Sequence, residues 1–158
     1  MHLSELFSAR DLVLEFDPAD KWQGIRALVE HMVASGRLAA DTAEDVLEAV
    51  LSRERSMSTG MEHGVAIPHA AVDGLDKVVA ALGIVQRDEG LTFDSIDGQP
   101  ARFVVLLVIP RAQKLVHIRT LADVARVLGN EEIRDALLAA TDAGVAHDVL
   151  VRGEKLET

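Results

Sequence analysis

Polar chemistry in this chain falls to carboxylates, arginines, hydroxyls and six histidines, the side chains whose ordinary pKa lies nearest neutrality; of these histidines His63, His69 and His117 could meet. His69 follows Val65-Ala66-Ile67-Pro68. Proline has its φ fixed and biases Ile67 towards an extended backbone. A strand running into Pro68 therefore presents His69 at its end, where the chain turns, and Ala70 and Ala71 leave little bulk beside it. Such a histidine is either offered to another macromolecule or merely caps the strand end. Arg53-Glu54-Arg55 closes a helix just upstream, and Ser58-Thr59-Gly60 supplies hydroxyls and backbone N–H groups. A guanidinium fork, hydroxyl donors and amides are what a phosphoryl dianion needs. The same arginines also suit a solvated helix end, where cations meet the negative end of the dipole. His117 belongs either to this constellation or to the surface of a helix's first turn. Three histidines can also bind zinc, but their spacing is not a metalloenzyme motif such as HExxH, so no metal is expected.

The elements that must position these groups can be read from periodicity. Leu12 to Phe16 has strand character and ends at Asp17-Pro18. Trp22, Ile25, Leu28, Val29, Met32 and Val33 recur at helical spacing, and Gly36 stops that helix. Asp41-Thr42-Ala43-Glu44 resembles a capping box, with Asp41 as the cap of a helix running to about Arg55. Ser56 to Gly64 reads as a loop in which Gly60 and Gly64 allow unusual backbone angles. Val65 to Ile67, Val78 to Val85 and Arg102 to Ile109 read as buried strands, with a turn-rich connection at Gly90 and Asp97-Gly98. From Leu115 the helical period returns in a stripe of Leu115, Ile118, Leu121, Ala122, Ala125 and Leu128, stopped by Gly129-Asn130. Glu131 to Ala140 and Val145 to Val151 predict two further helices. Apolar strands with helices before and after them predict an α/β fold, a small mixed sheet flanked by helices on both faces.

Composition narrows the chemistry. The 158 residues fit one domain, residues 1–158, large enough to bury a core without disulfide or metal. Cysteine is absent, which removes thiolate metal sites, iron–sulfur ligation and cysteine nucleophiles. A formal charge of −10 with only 3% aromatic residues speaks against a nucleic-acid partner. The longest apolar run, Phe103 to Pro110, is far short of the roughly 20 residues a membrane-spanning helix needs, and the N-terminus carries no targeting pattern. No membrane insertion is expected, and a cytoplasmic location is.

The stretch RERSMSTGMEHGVAIPHA, Arg53 to Ala70, resembles the active-site signature of the type-2 (fructose/mannitol) enzyme IIA domains of the sugar phosphotransferase system. The nitrogen-regulatory IIA proteins belong to the same family. Arg53-Glu54, Ser58-Thr59-Gly60 and Gly64 to His69 carry the likeness, and His117 in KLVHIRTLADVARVL resembles the family's second active-site histidine. The opening LSELFSARDLVLEF fits the family's start, so the likeness covers nearly the whole chain.

The resemblance implies the IIA sandwich fold and a phosphoryl carrier without cofactor. His69 would accept phosphate from the phosphohistidine of an HPr-like phosphocarrier and pass it to a IIB domain. Alternatively, as in nitrogen-regulatory proteins, the phosphorylation state would control a partner protein without sugar transport. His117 would hydrogen-bond the phosphoryl group, Arg53 would balance its charge, and Ser58, Thr59 and Gly60 would help to bind it. Met61-Glu62-His63 departs from the family's pattern; Glu62 or His63 either orients His69 or is simply solvated. The chain's length matches one IIA unit and suggests a free-standing carrier.

Overall fold

The computed structural model describes residues 3–156. Five short or medium strands form one sheet: β1 (Leu12–Val13), β2 (Val65–Ala66), β3 (His69–Val72), β4 (Val79–Ile84) and β5 (Phe103–Pro110). Six α-helices surround it: α1 (Leu3–Leu6), α2 (Lys21–Ala34), α3 (Ala43–Ser56), α4 (Lys114–Leu128), α5 (Glu131–Ala139) and α6 (Ala143–Leu156). β5 is the hub. It runs antiparallel to β4 on one side and parallel to β2 and β3 on the other, while β1 lies parallel to β4 at the far edge. The sheet is mixed and helices cover both faces, as the strand pattern predicts.

Every residue of β5 is buried, because the two-residue period sends alternate side chains into separate cores. Val104, Leu106 and Val108 meet Ile25, Leu28, Met32, Leu47 and Val50 from α2 and α3. Phe103, Val105, Leu107 and Ile109 meet α1, α4, α5 and α6 through residues such as Leu3, Val124, Leu137 and Leu150. This is why the strand reads as a continuous apolar run.

The chain does not turn at His69. β2 and β3 share one register on β5: Val65 pairs Phe103 and His69 pairs Leu107, an offset of 38 in both cases (103 − 65 and 107 − 69). Pro68 lacks an N–H and interrupts the ladder, yet its carbonyl still accepts from Leu107 N at 3.0 Å, and the strand resumes. His69 consequently opens an edge strand that runs on to Val72, rather than closing one where the chain turns. Its parity with Ile67 directs it to the face that carries α4.

Other expectations are corrected. Asp41 does not cap α3: Ala40–Thr42 forms a 3-10 turn, and Thr42 takes the cap position without a side-chain bond. The first strand stops at Val13 because Glu15 adopts a positive φ of 52°, which turns Phe16 inward against Gly83. Gly64 does use a positive φ of 73°, but Gly60 does not. A Cβ on Gly60 would fall 2.8 Å from the Phe93 carbonyl oxygen, so crowding, not backbone angle, requires glycine there. Finally, Leu121 and Leu128 of the expected stripe do pack on the core, but Leu115 and Ile118 are 61% and 65% exposed, and Val124 and Val127 complete the buried face of α4. In the first turns of α4 the inward side chains are instead Val116, which packs against the core, and Thr120, which is buried.

Candidate functional site

His69, His117 and Arg53 converge at the edge of the sheet. β3 supplies His69, the first turns of α4 supply His117, and the last turn of α3 supplies Arg53. The two imidazole rings meet edge to face, with centroids 5.1 Å apart and planes at 72°. Both rings and Arg53 line a cleft of about 430 Å³ between α3 and α4. A second cavity of about 520 Å³ opens on the other side of His69, walled by Arg53, Ser58, Thr59, Gly60 and the apolar Met57, Ile96 and Leu121.

The His69 ring is held through Nδ1, which lies 2.7 Å from the Ile67 carbonyl oxygen. A carbonyl can only accept, so Nδ1 carries the proton and the Nε2 lone pair is free. Burial lowers the pKa of His69 below its usual 6.5; the Ile67 carbonyl opposes the fall, Arg53 and His117 deepen it, and Glu54 opposes it. Burial, and then Arg53, likewise lower His117. Both imidazoles are therefore predominantly neutral at pH 7. Desolvation and a nearby cation leave an uncharged ring, the form of imidazole that is able to act as a nucleophile.

Arg53 donates from Nη1 to the Met57 carbonyl at 2.8 Å, where α3 ends. The guanidinium is thus parked on an orphan carbonyl of the helix terminus beside His69. The loop behind it is held from inside. Ser58 Oγ donates to the Phe93 carbonyl, and Gly60 N donates to Ser58 Oγ at 3.2 Å. Thr59 N donates to Glu54 Oε2 at 3.0 Å, and Thr59 Oγ1 to Glu54 Oε1. The donors that Ser58, Thr59 and Gly60 were expected to offer outward are engaged within the protein in this structure.

Glu54 lies within the motif, and the resemblance implies no role for it. The structure buries it, with 2% of its surface exposed, and its Oε2 lies 3.1 Å from Lys21 Nζ. Asp94 Oδ2 lies 3.4 Å from the same ammonium and lines the larger cavity. Only the adjacency to Arg53 could have pointed to Glu54, and nothing local marks Lys21 or Asp94, which come from distant segments.

His63 does not join the pair. It adopts a positive φ of 61°, donates its backbone N–H to Asp97 at 3.1 Å, and lines a separate cavity of about 220 Å³ with Glu62, Ile96 and Ala125. Among the described residues, no group of three or more His, Asp or Glu side chains stands close enough to hold a metal ion. Nor, among them, is any helix long and apolar enough to cross a membrane.

This α/β sandwich has counterparts among known proteins. Residues 5–152 match the family described as the phosphoenolpyruvate-dependent sugar phosphotransferase system, EIIA 2, and the chain belongs to that family. Members of the family are phosphotransferase components. The chain is 34% identical over 137 residues to the fructose-specific EIIA component of Haloferax volcanii, covering 87% of this chain and 86% of that protein. The fold matches the nitrogen regulatory protein IIA-Ntr from Neisseria meningitidis with a TM-score of 0.80 and 25% identity, over 94% of this chain and 98% of that one. It also matches the mannitol enzyme IIA of Escherichia coli, solved in complex with its phosphorylated enzyme IIB, with a TM-score of 0.76 and 21% identity, over 92% and 97%.

Proposed function

We propose that this protein is a phosphoryl carrier of the phosphotransferase system, with His69 as the acceptor. One observation carries the proposal: Nδ1–H is tied to the Ile67 carbonyl, which leaves Nε2 as the free nitrogen of a neutral ring beside Arg53 and His117. Nε2 attacks the phosphorus of a phosphohistidine on an HPr-like donor. The new N–P bond forms as the donor's N–P bond breaks, and the donor imidazole keeps the bonding pair and takes up a proton from solvent. The transition state is loose and spreads charge over three oxygens, so positioned cations matter more than a strong base. Arg53 supplies the cation after leaving Met57, and His117 donates a hydrogen bond. Ser58, Thr59 and Gly60 serve chiefly as the wall that shapes the cavity. A IIB component then takes the phosphoryl group by the same step reversed. This exchange belongs in the cytoplasm. The likeness to a fructose-specific component favours sugar uptake.

Incubation with phosphoenolpyruvate, enzyme I and HPr, followed by intact-mass measurement, tests the proposal. One acid-labile phosphoryl adduct is expected, absent from His69→Ala. An adduct that persists in His69→Ala, or no adduct on the unaltered chain, would sink it. The likeness to IIA-Ntr supports a second reading, in which the same phosphorylation controls the binding of a partner protein.

A further inference from the structure

A buried ion pair gains little stability over apolar residues of the same shape, because desolvation of the two charges offsets their attraction. The pair between Lys21 and Glu54 therefore calls for a geometric explanation. Glu54 exposes none of its side chain, and its two oxygens accept from Lys21 Nζ, Thr59 N and Thr59 Oγ1. Thr59 is itself 5% exposed, and its carbonyl accepts from Ile67 N at 3.1 Å. The Ile67 carbonyl in turn accepts from His69 Nδ1 at 2.7 Å. These bonds form an unbroken path from the start of α2, through the end of α3 and the loop, to the ring of His69. Each link leaves its neighbour one place to go: Thr59 cannot rotate while both its N–H and its hydroxyl are on Glu54, and Ile67 is held by Thr59.

We propose that Glu54 is a positioning residue: acting through Thr59 and Ile67, it holds the His69 ring with Nδ1–H on the Ile67 carbonyl and Nε2 towards the cavity. Lys21 keeps the Glu54 carboxylate in place and neutralises it. Without an acceptor at position 54, the Thr59 peptide is released, the Ile67 carbonyl loses its fixed direction, and the imidazole samples both tautomers.

The decisive measurement is the tautomer of His69 in the unphosphorylated protein, read from long-range 1H–15N spectra above the imidazole pKa. In the unaltered protein the Nδ1–H form must dominate; a dominant Nε2–H form overturns the proposal without any variant. Two double variants carry no buried charge and differ only in the acceptor, Lys21→Met/Glu54→Gln and Lys21→Met/Glu54→Leu. The Gln chain keeps an oxygen for Thr59 N–H and should retain the single tautomer. The Leu chain should show both tautomers and accept phosphate from phospho-HPr roughly 10- to 100-fold more slowly, the usual cost of a misplaced reacting group. A folded Leu chain with the original tautomer and rate overturns the proposal, as does a Gln chain as defective as the Leu chain. The rate comparison rests on the phosphoryl-carrier reading, but the tautomer comparison does not. If the unaltered protein takes no phosphate, that reading fails while the spectra still decide the role of Glu54.

Discussion

Arg53→Gln separates what the guanidinium does for the chemistry from what it does for the fold. Arg53 lines both cavities beside His69, and it is a cation that depresses both imidazoles. Glutamine keeps much of the bulk and a donor but removes the charge. Both histidines should then titrate higher, towards 6.5 but short of it, because burial remains the larger cause at each. Phosphoryl acceptance should fall by roughly 10²–10³-fold, the usual effect of losing one positioned donor at developing charge. The fold should be little affected. The lost bond from Nη1 to the Met57 carbonyl, 2.8 Å long and exposed, is worth at most about 1 kcal/mol. In a chain of this size that lowers Tm by only about 2–4 °C. Rapid-quench mass measurement with phospho-HPr gives the rate, NMR titration of the ring protons gives the two pKa values, and calorimetry gives Tm. A rate within about twofold of the original, with both titrations unmoved, would refute the role of Arg53.

Two further outcomes concern stability. Since His69 and His117 are held below 6.5, the unfolded chain binds more protons than the folded one between the folded pKa values and 6.5. Their contribution is therefore complete above 6.5 and is lost as pH falls through the folded values; Tm should fall across that window, and less steeply in His69→Gln/His117→Gln. An equal slope in that double variant would assign the loss to other groups. Gly60→Ala places a Cβ 2.7 Å from Ser95 Oγ and 2.8 Å from the Phe93 carbonyl oxygen, and should cost about 1–3 kcal/mol by thermal unfolding. An alanine chain as stable as the original would show that crowding is not why glycine stands there.

The α/β sandwich was legible because its strands are marked by what they avoid. Phe103 to Pro110 has no polar position, and only a strand covered on both faces allows that. The same logic misled at α4. Leu115 and Ile118 fit the helical stripe, but the period reports which residues share a helix face, not whether a layer lies against it. At His69 the local rule for proline suggested a turn, and eight residues of neighbouring β5 overrode it by continuing the ladder in the same register. The cap at Asp41 failed for a similar reason, since a 3-10 turn moved the helix start along by one residue.

By itself the sequence determined the reagents: histidines but no thiols, an arginine at a helix end, a proline before the candidate nucleophile, and a motif with a family likeness. These are properties of residue types and short spacings, which survive in an unfolded chain. Tertiary structure alone decided which nitrogen of His69 is free, that His117 and not His63 faces it, and that Glu54 is joined to Lys21, 33 residues away, behind the loop. Those outcomes depend on hydrogen-bond directions and on desolvation, and neither exists until the sheet and its two helical layers exclude water.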